Sequence, residues 1–241
     1  MDPLPVDVLQ RAAVVAALLL SLAVVLYLDQ SSRLGAQLRG RFVLGVPWGT
    51  VVSAGCVLAV YLFLQGGYQY WYSPVTIPFR AWSYFYPLGI ASAAFSHGGP
   101  GHLIGNLVGT LTLAPLAEYA WGHFPRERGS HSFGSLRTNP YVRAVVIFPA
   151  AVLVVGLLTS IFALGPIIGF SGVVFAFAGV ALVNYPLGTV IAIATGGALR
   201  LVYNALLTPV ITASGRPAYI TPWWADIAIQ GHALGLLIGI L

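Results

Sequence analysis

Seven stretches of this chain are apolar over roughly the length that crosses a bilayer, about 20 residues each. They run at about Val8–Leu28, Phe42–Leu64, His102–Gly122, Tyr141–Leu164, Gly169–Val183, Leu187–Ile211 and Trp223–Leu241. A soluble domain cannot hide that much apolar surface. Only 7% of the residues are charged and 58% are hydrophobic, whereas a soluble domain carries roughly 25% charged residues. The expected architecture is an all-α, polytopic membrane helical bundle packed as one domain.

The sparse charge is placed unevenly. Arg33, Arg39 and Arg41 fall between the first two spans, Arg126, Arg128 and Arg137 fall between the third and fourth, and Arg143 stands at the start of the fourth. Arginines in or beside two alternate loops read as positive-inside topology. Seven spans then put the N-terminus outside, the C-terminus inside and both arginine-rich loops in the cytoplasm. Their place beside apolar spans argues for a bilayer and against nucleic acid as the partner. Cys56 is the only cysteine, so no intrachain disulfide and no cysteine-based metal site is expected.

The first span resembles a signal peptide in length, but Asp2 and Asp7 precede it where a basic region would stand. A retained helix is expected. Residues 66–100 are rich in aromatics, including Tyr70, Trp71, Tyr72, Trp82, Tyr84, Phe85 and Tyr86, and are broken by prolines and glycines. Amphipathic aromatics favour the headgroup region, so this stretch reads as an interfacial loop with short helices. Arg126–Arg137 reads as a flexible cytoplasmic loop. No internal repeat is visible.

Three groups of residues inside the spans can carry chemistry. Gly169-Phe170-Ser171-Gly172 frames a serine with glycines at an expected helix start. Such a serine often does no more than bond a carbonyl one turn back. As a nucleophile it would need a base. The flanking glycines allow close backbone approach, and a helix start there would aim free N–H groups at the same point. His232 is the candidate base; an ionisable residue inside a span is either functional or a satisfied packing residue. Gly231, Gly235 and Gly239 recur every four residues, a small-residue stripe suited to close helix packing. Gly172, Ala176 and Val180 make a similar stripe after Ser171.

His102 and Asn106 lie four apart, on one helix face about 6 Å along the axis. They can donate to a developing oxyanion or simply bond neighbouring helices. No carboxylate is placed to complete a triad. Asp226 lies about 240° around and about 9 Å along a helix from His232, and Glu118 about 24 Å from His102. The chain therefore offers a Ser–His dyad. Arg200, near the middle of a span, has no evident chemical role; snorkelling to the membrane surface, a pairing with Asp226 or a helix break after Gly196-Gly197 would account for it.

Taken together, three motifs resemble the rhomboid family of intramembrane serine proteases. Gly169-Phe170-Ser171-Gly172 is similar to its G-x-S-G motif. His97, His102 and Asn106 follow its H-x-x-x-x-H-x-x-x-N pattern. His232, Gly235 and Gly239 follow its H-x-x-G-x-x-x-G helix. The resemblance implies a six-helix core over residues 42–241, preceded by an extra transmembrane helix and cytoplasmic linker over 1–41. It implies Ser171 as nucleophile and His232 as general base. His102, Asn106 and the Ser171 backbone N–H would form the oxyanion hole, with His97, Gly169, Gly172, Phe175 and Gly235 in support. Glu118 would be a structural acid at the inner end of the second core helix. Two departures stand out. Phe175 occupies a position where the family often has tyrosine stacked on the imidazole. Arg80 and Trp82 appear in the reverse order of the family's Trp-Arg signature.

The function expected from the resemblance is endopeptidase cleavage of single-span membrane proteins through an acyl-enzyme, with no cofactor and no metal. The expected setting is the lipid bilayer of a prokaryotic cell membrane, as a multi-pass protein. Two rival classes are a catalytically inactive rhomboid-like protein that binds membrane clients and a small-solute transporter. The first rival conflicts with the presence of both serine and histidine. The second would want paired broken helices and repeats.

Overall fold

The structure, a computed structural model, describes residues 38–124, 134–163, 165, 167–207 and 229–241. Every regular element among the described residues is helical. The expected first span Val8–Leu28, the linker arginine Arg33, Arg126, Arg128 and Asp226 lie outside them. So do the end of the sixth expected span and the start of the seventh.

Helix α1 runs over Trp48–Leu64. The span was expected to begin at Phe42, but the helix starts six residues later. Leu44 and Gly45 take φ of 58° and 76°, and Pro47 holds Val46 extended, at ψ 133°. A residue before proline is pushed out of the helical region, so the chain cannot enter the helix sooner. The last turn of α1, Val60–Leu64, is a π-turn.

The aromatic stretch that follows is irregular, with a 3₁₀ turn at Ile77–Phe79 and a short helix α2 at Pro87–Ala93. Helix α3 spans Pro100–Trp121 and stops at Gly122, whose φ is 62°. Helix α4, Pro140–Phe162, is the one helix among the described residues long and apolar enough by itself to cross a membrane. Asn139 caps it, its Oδ1 accepting the Tyr141 and Val142 N–H groups at 2.9 and 3.4 Å. A π-turn at Arg143–Ile147 lies just ahead of Pro149, where a proline ring removes one helical hydrogen bond and crowds a carbonyl one turn back. Helices α5 (Ser171–Asn184), α6 (Pro186–Leu207) and α7 (Ile229–Ile240) complete the bundle.

Helix α5 is central, packing on α3, α4, α6 and most extensively α7. The core between α3, α4 and α5 is apolar, with Leu103, Leu113, Phe148, Phe170 and Phe177 buried. Elsewhere the usual order of a soluble protein is reversed. Phe63, Leu153, Phe162, Leu187 and Val190 are exposed, while Gln65, His97, Asn106, Thr110, Glu118 and His123 are buried. Apolar residues outside and paired polar residues inside suit a lipid surround.

The two ends of α3 are chemically different. At its C-terminal end the Glu118 carboxylate is fully buried and caps the start of α1. It accepts the backbone N–H groups of Gly49 and Thr50 at 2.9 and 2.7 Å and the Thr50 hydroxyl at 2.8 Å. His123 Nε2 lies 2.6 Å from the Glu118 Oε1, the oxygen that also accepts from Gly49. Both arginine-rich segments meet here: the Arg41 carbonyl accepts from the His123 N–H, and Arg143 donates to the Gly122 carbonyl. The N-terminal end of α3 faces Ser171.

Candidate active site

Ser171 is the first residue of α5. The chain reaches it through Gly169, at φ 130°, a conformation open only to glycine. The Gly169 N–H is tied to the Ala93 carbonyl at 2.8 Å. Phe170 then plugs the core with no exposure, its ring 5.5 Å from that of Phe95. The turn is thus pinned at the two residues that precede the serine, and α5 begins with its unpaired N–H groups and positive dipole end at Ser171.

The His232 Nε2 of α7 lies 2.6 Å from the Ser171 Oγ, across a separation of 61 residues in sequence. Glycine makes that approach possible. A Cβ on Gly235 would fall on the Gly172 carbonyl oxygen, and one on Gly239 on the Ala176 carbonyl oxygen. The stripe on α5 differs in part from its expected form. Gly172 and Ala176 present carbonyls to α7, but the space a Gly172 Cβ would need is bounded by Thr159 of α4, at 3.0 Å. Gly179, rather than Val180, faces Gly239: a Cβ added to Gly179 would lie 2.9 Å from the Gly239 Cα. The Phe175 ring stacks on the His232 imidazole with centroids 4.6 Å apart and planes 19° apart. Phenyl therefore supplies the flat contact that fixes the imidazole plane.

His102 and Asn106 project from the first turns of α3 toward the same turn. A Cβ at Gly169 would lie 2.5 Å from the His102 Nε2 and 3.5 Å from the Asn106 Nδ2. Glycine at 169 is needed on steric as well as conformational grounds. The Asn106 Nδ2 also lies 3.0 Å from the His97 Nε2. An amide nitrogen only donates, so the His97 Nε2 accepts and its imidazole is neutral. Burial, with His102 beside it, pushes the His97 pKa down to about 3, consistent with that role. The His97 and His102 rings meet edge to face at 5.1 Å.

Gln65, a residue sequence reasoning missed, holds this arrangement from behind. Its Oε1 accepts the His97 N–H at 2.8 Å, and its Nε2 donates to the His97 and Val75 carbonyls at 2.9 and 2.8 Å. A lone amide closing the apolar run Tyr61-Leu62-Phe63-Leu64 was the available signal. His123, beside Glu118, was missed as well; its position just past one turn from Glu118 was the clue.

A cavity of about 30 Å³ opens beside Ser171, lined by Ala93, Ala94, Thr159, Ser160, Gly169 and His232 among others. That is space for about one or two water molecules, and three hydroxyl-bearing residues, Thr159, Ser160 and Ser171 itself, line it. Other expected residues stand apart from the dyad. Glu118 sits at the far end of α3, and among the described residues no carboxylate joins Ser171 and His232. Arg200 lies on the α6 backbone, and Asp226 lies outside the described residues. Arg80 and Trp82 pack on each other, the guanidinium carbon 5.7 Å from the indole centroid, and the Trp82 Nε1 donates to the Ile77 carbonyl at 3.0 Å. Among the described residues no His, Cys, Asp or Glu cluster can hold a metal ion.

The arrangement provides a hydroxyl with a base in contact, N–H donors beside it and a small polar hollow. A family model described as Rhomboid domain matches residues 81–241, well over half of the chain. Searches of curated proteins and of solved structures return no match.

Proposed function

The chain belongs to the rhomboid family, and we propose that it is an active intramembrane serine endopeptidase. The observation that carries the reading is the 2.6 Å contact between the Ser171 Oγ and the His232 Nε2. A serine hydroxyl inside a helical bundle usually donates its hydrogen bond to a backbone carbonyl one turn back in its own helix. Here it meets an imidazole from another helix that is itself held by ring stacking on Phe175.

In the proposed reaction the Ser171 Oγ attacks the carbonyl carbon of the scissile peptide as its proton passes to His232. The carbonyl oxygen becomes an oxyanion, which the Ser171 backbone N–H, Asn106 and His102 stabilise. His232 then gives its proton to the leaving amine, and the acyl group stays on Ser171 as an ester. A water attacks that ester as His232 takes its proton, and the second oxyanion collapses as His232 returns that proton to the Ser171 Oγ, releasing a carboxylic acid and restoring free Ser171 and neutral His232. The hollow bordered by Thr159 and Ser160 gives water a polar resting place beside the ester. No cofactor is required.

The substrates we propose are single-span membrane proteins whose helix unwinds at the edge of the bundle. Residues 42–241 form the catalytic core in this reading, and residues 1–41 contribute an extra transmembrane helix and linker. The N-terminus lies outside and the arginine-rich loops lie in the cytoplasm. The meeting of Arg41 and Arg143 at one end of α3 supports that orientation.

The test is a purified-protein assay. The full chain, reconstituted in lipid vesicles, is expected to cleave a model transmembrane substrate and to be labelled by a fluorophosphonate at Ser171. Absence of both cleavage and labelling in folded protein would leave a rhomboid-like client-binding protein as the reading.

A further inference from the structure

Far from the dyad, at the C-terminal end of α3, two cavities of opposite character adjoin. One, of about 230 Å³, is lined by Arg41, Trp121, Gly122, Thr138 and Arg143. The other, of about 380 Å³, is an apolar cleft between α3, α4, α5 and α7, bordered by Phe148, Val152, Phe177 and Ile238. Ala120 and Trp121 line both. The two therefore adjoin at these residues, one cationic and the other apolar.

The cationic end has unmet capacity. The Arg143 guanidinium lies over Trp121 at 5.8 Å, and that of Arg41 over Tyr119 at 5.5 Å. Arg143 donates to the Gly122 carbonyl at 3.0 Å, but its buried Nε has no hydrogen-bond partner. Among the described residues Glu118 is the only carboxylate. Its oxygens are taken by Gly49, Thr50 and His123, so among those residues none is free to neutralise the two guanidiniums. Paired guanidiniums favour phosphate oxygens through forked hydrogen bonds. Indole and phenol rings beside them mark the headgroup depth of a bilayer.

We propose that this pair of cavities is a binding site for an anionic phospholipid. The phosphate lies between Arg41 and Arg143, and an acyl chain occupies the apolar cleft. A free anion would use only the first cavity and a neutral lipid only the second; the adjacency of the two favours a ligand with both parts. The site is independent of the dyad and of the protease reading.

The full chain in a neutral detergent provides the test. Phosphatidylglycerol, phosphatidylcholine and inorganic phosphate are added separately, and thermal midpoint and lipid retention by native mass spectrometry are read. Phosphatidylglycerol is expected to be retained and to raise the midpoint, with little response to the other two. Arg41→Gln with Arg143→Gln should weaken its apparent affinity about thirtyfold, from the attraction of each arginine to anionic lipid. Ala151 also lines the apolar cleft, and Ala151→Phe, which narrows it and leaves both arginines, should weaken binding as well. Equal retention of the two lipids overturns the proposal. So does full stabilisation by inorganic phosphate alone, or unchanged phosphatidylglycerol binding in either variant. If the double arginine variant fails to fold, the headgroup comparison on the unaltered chain and the Ala151→Phe variant still decide.

Discussion

The carbonyl oxygen of Gly172 occupies the place where a side chain on Gly235 would begin. The base-bearing helix is thus held against the serine-bearing helix by backbone contact, with nothing compressible between them. Even Gly235→Ala should push α7 outward. A displacement of reacting groups by about 1 Å can cost on the order of 10²-fold in rate, so cleavage should fall by about that factor. Leu237→Ala, at an exposed position of the same helix, should keep most activity. Steady-state cleavage by both variants, with melting curves to confirm folding, checks this. Gly235→Ala at full activity would show that the approach of α7 does not set the rate.

Ser171→Ala and His232→Ala should each abolish cleavage, and the double variant should be no worse than either. Groups that act as one unit give losses that do not add; removal of a catalytic serine costs on the order of 10⁶ in kcat in a well-studied protease. Both single variants should stay folded, since Ser171 Oγ and His232 bond chiefly to each other. A His232→Ala variant with most of its activity would require a different base.

Asn106→Ala should lower kcat by roughly 10²–10³ with a smaller change in KM, as loss of one oxyanion donor does. Gln65 touches no reacting atom; it orients His97, which in turn meets Asn106. Gln65→Leu should therefore lower kcat in the same sense but less. Combined with Asn106→Ala it should add little, because both act through one amide. Full additivity of the two losses in a double-variant cycle would separate Gln65 from this chain.

The parts of this site that were legible in the sequence are local ones. Glycines around Ser171 announce a tight entry, and α5 does begin at that serine. The spacing of His102 and Asn106 places both on one helix face, and α3 does carry them to Gly169. A glycine stripe on α7 says that something can come close, and it is α5 that does. What stayed hidden depends on long-range partners. Glu118 caps α1 across 68 and 69 residues, and Gln65 grips His97 across 32. Neither pairing leaves a periodic trace in the chain. The late start of α1 was hidden for a different reason. Phe42–Val46 is apolar enough to read as helix, but Pro47 and the positive φ at Leu44 decide otherwise. Apolarity reports burial or lipid contact, not backbone geometry.

Phe175→Tyr should leave cleavage unchanged or modestly raised. Either ring can stack on the His232 imidazole, now 4.6 Å away, and Phe175 is 39% exposed, which leaves room for a hydroxyl. Phe175→Ala should be far worse, since it frees the imidazole plane while leaving both dyad atoms present. Measured kcat for the pair of variants distinguishes stacking from mere occupancy. Equal activity of Phe175→Ala and the unaltered chain would show that the ring does not position His232.

Glu118→Gln should destabilise the bundle without touching the chemistry. The carboxylate accepts two backbone N–H groups and one hydroxyl in a place closed to water. An amide of the same shape must turn its own N–H groups toward some of those donors, and no solvent can relieve the mismatch. Buried hydrogen bonds to a charged group contribute about 1.5–3 kcal/mol each, and an orphaned buried donor costs about 1–3 kcal/mol. At about 2–4 °C per kcal/mol for a domain of 150–250 residues, loss of one such bond should lower the melting midpoint by roughly 5–10 °C. At temperatures well below that midpoint, fluorophosphonate labelling of Ser171 should be unchanged, because the dyad lies at the opposite end of α3. Thermal melts and labelling of the same preparation test both halves. An unchanged midpoint would mean that the start of α1 does not depend on its cap. A loss of labelling in protein that still melts cooperatively would mean that the two ends of α3 are coupled.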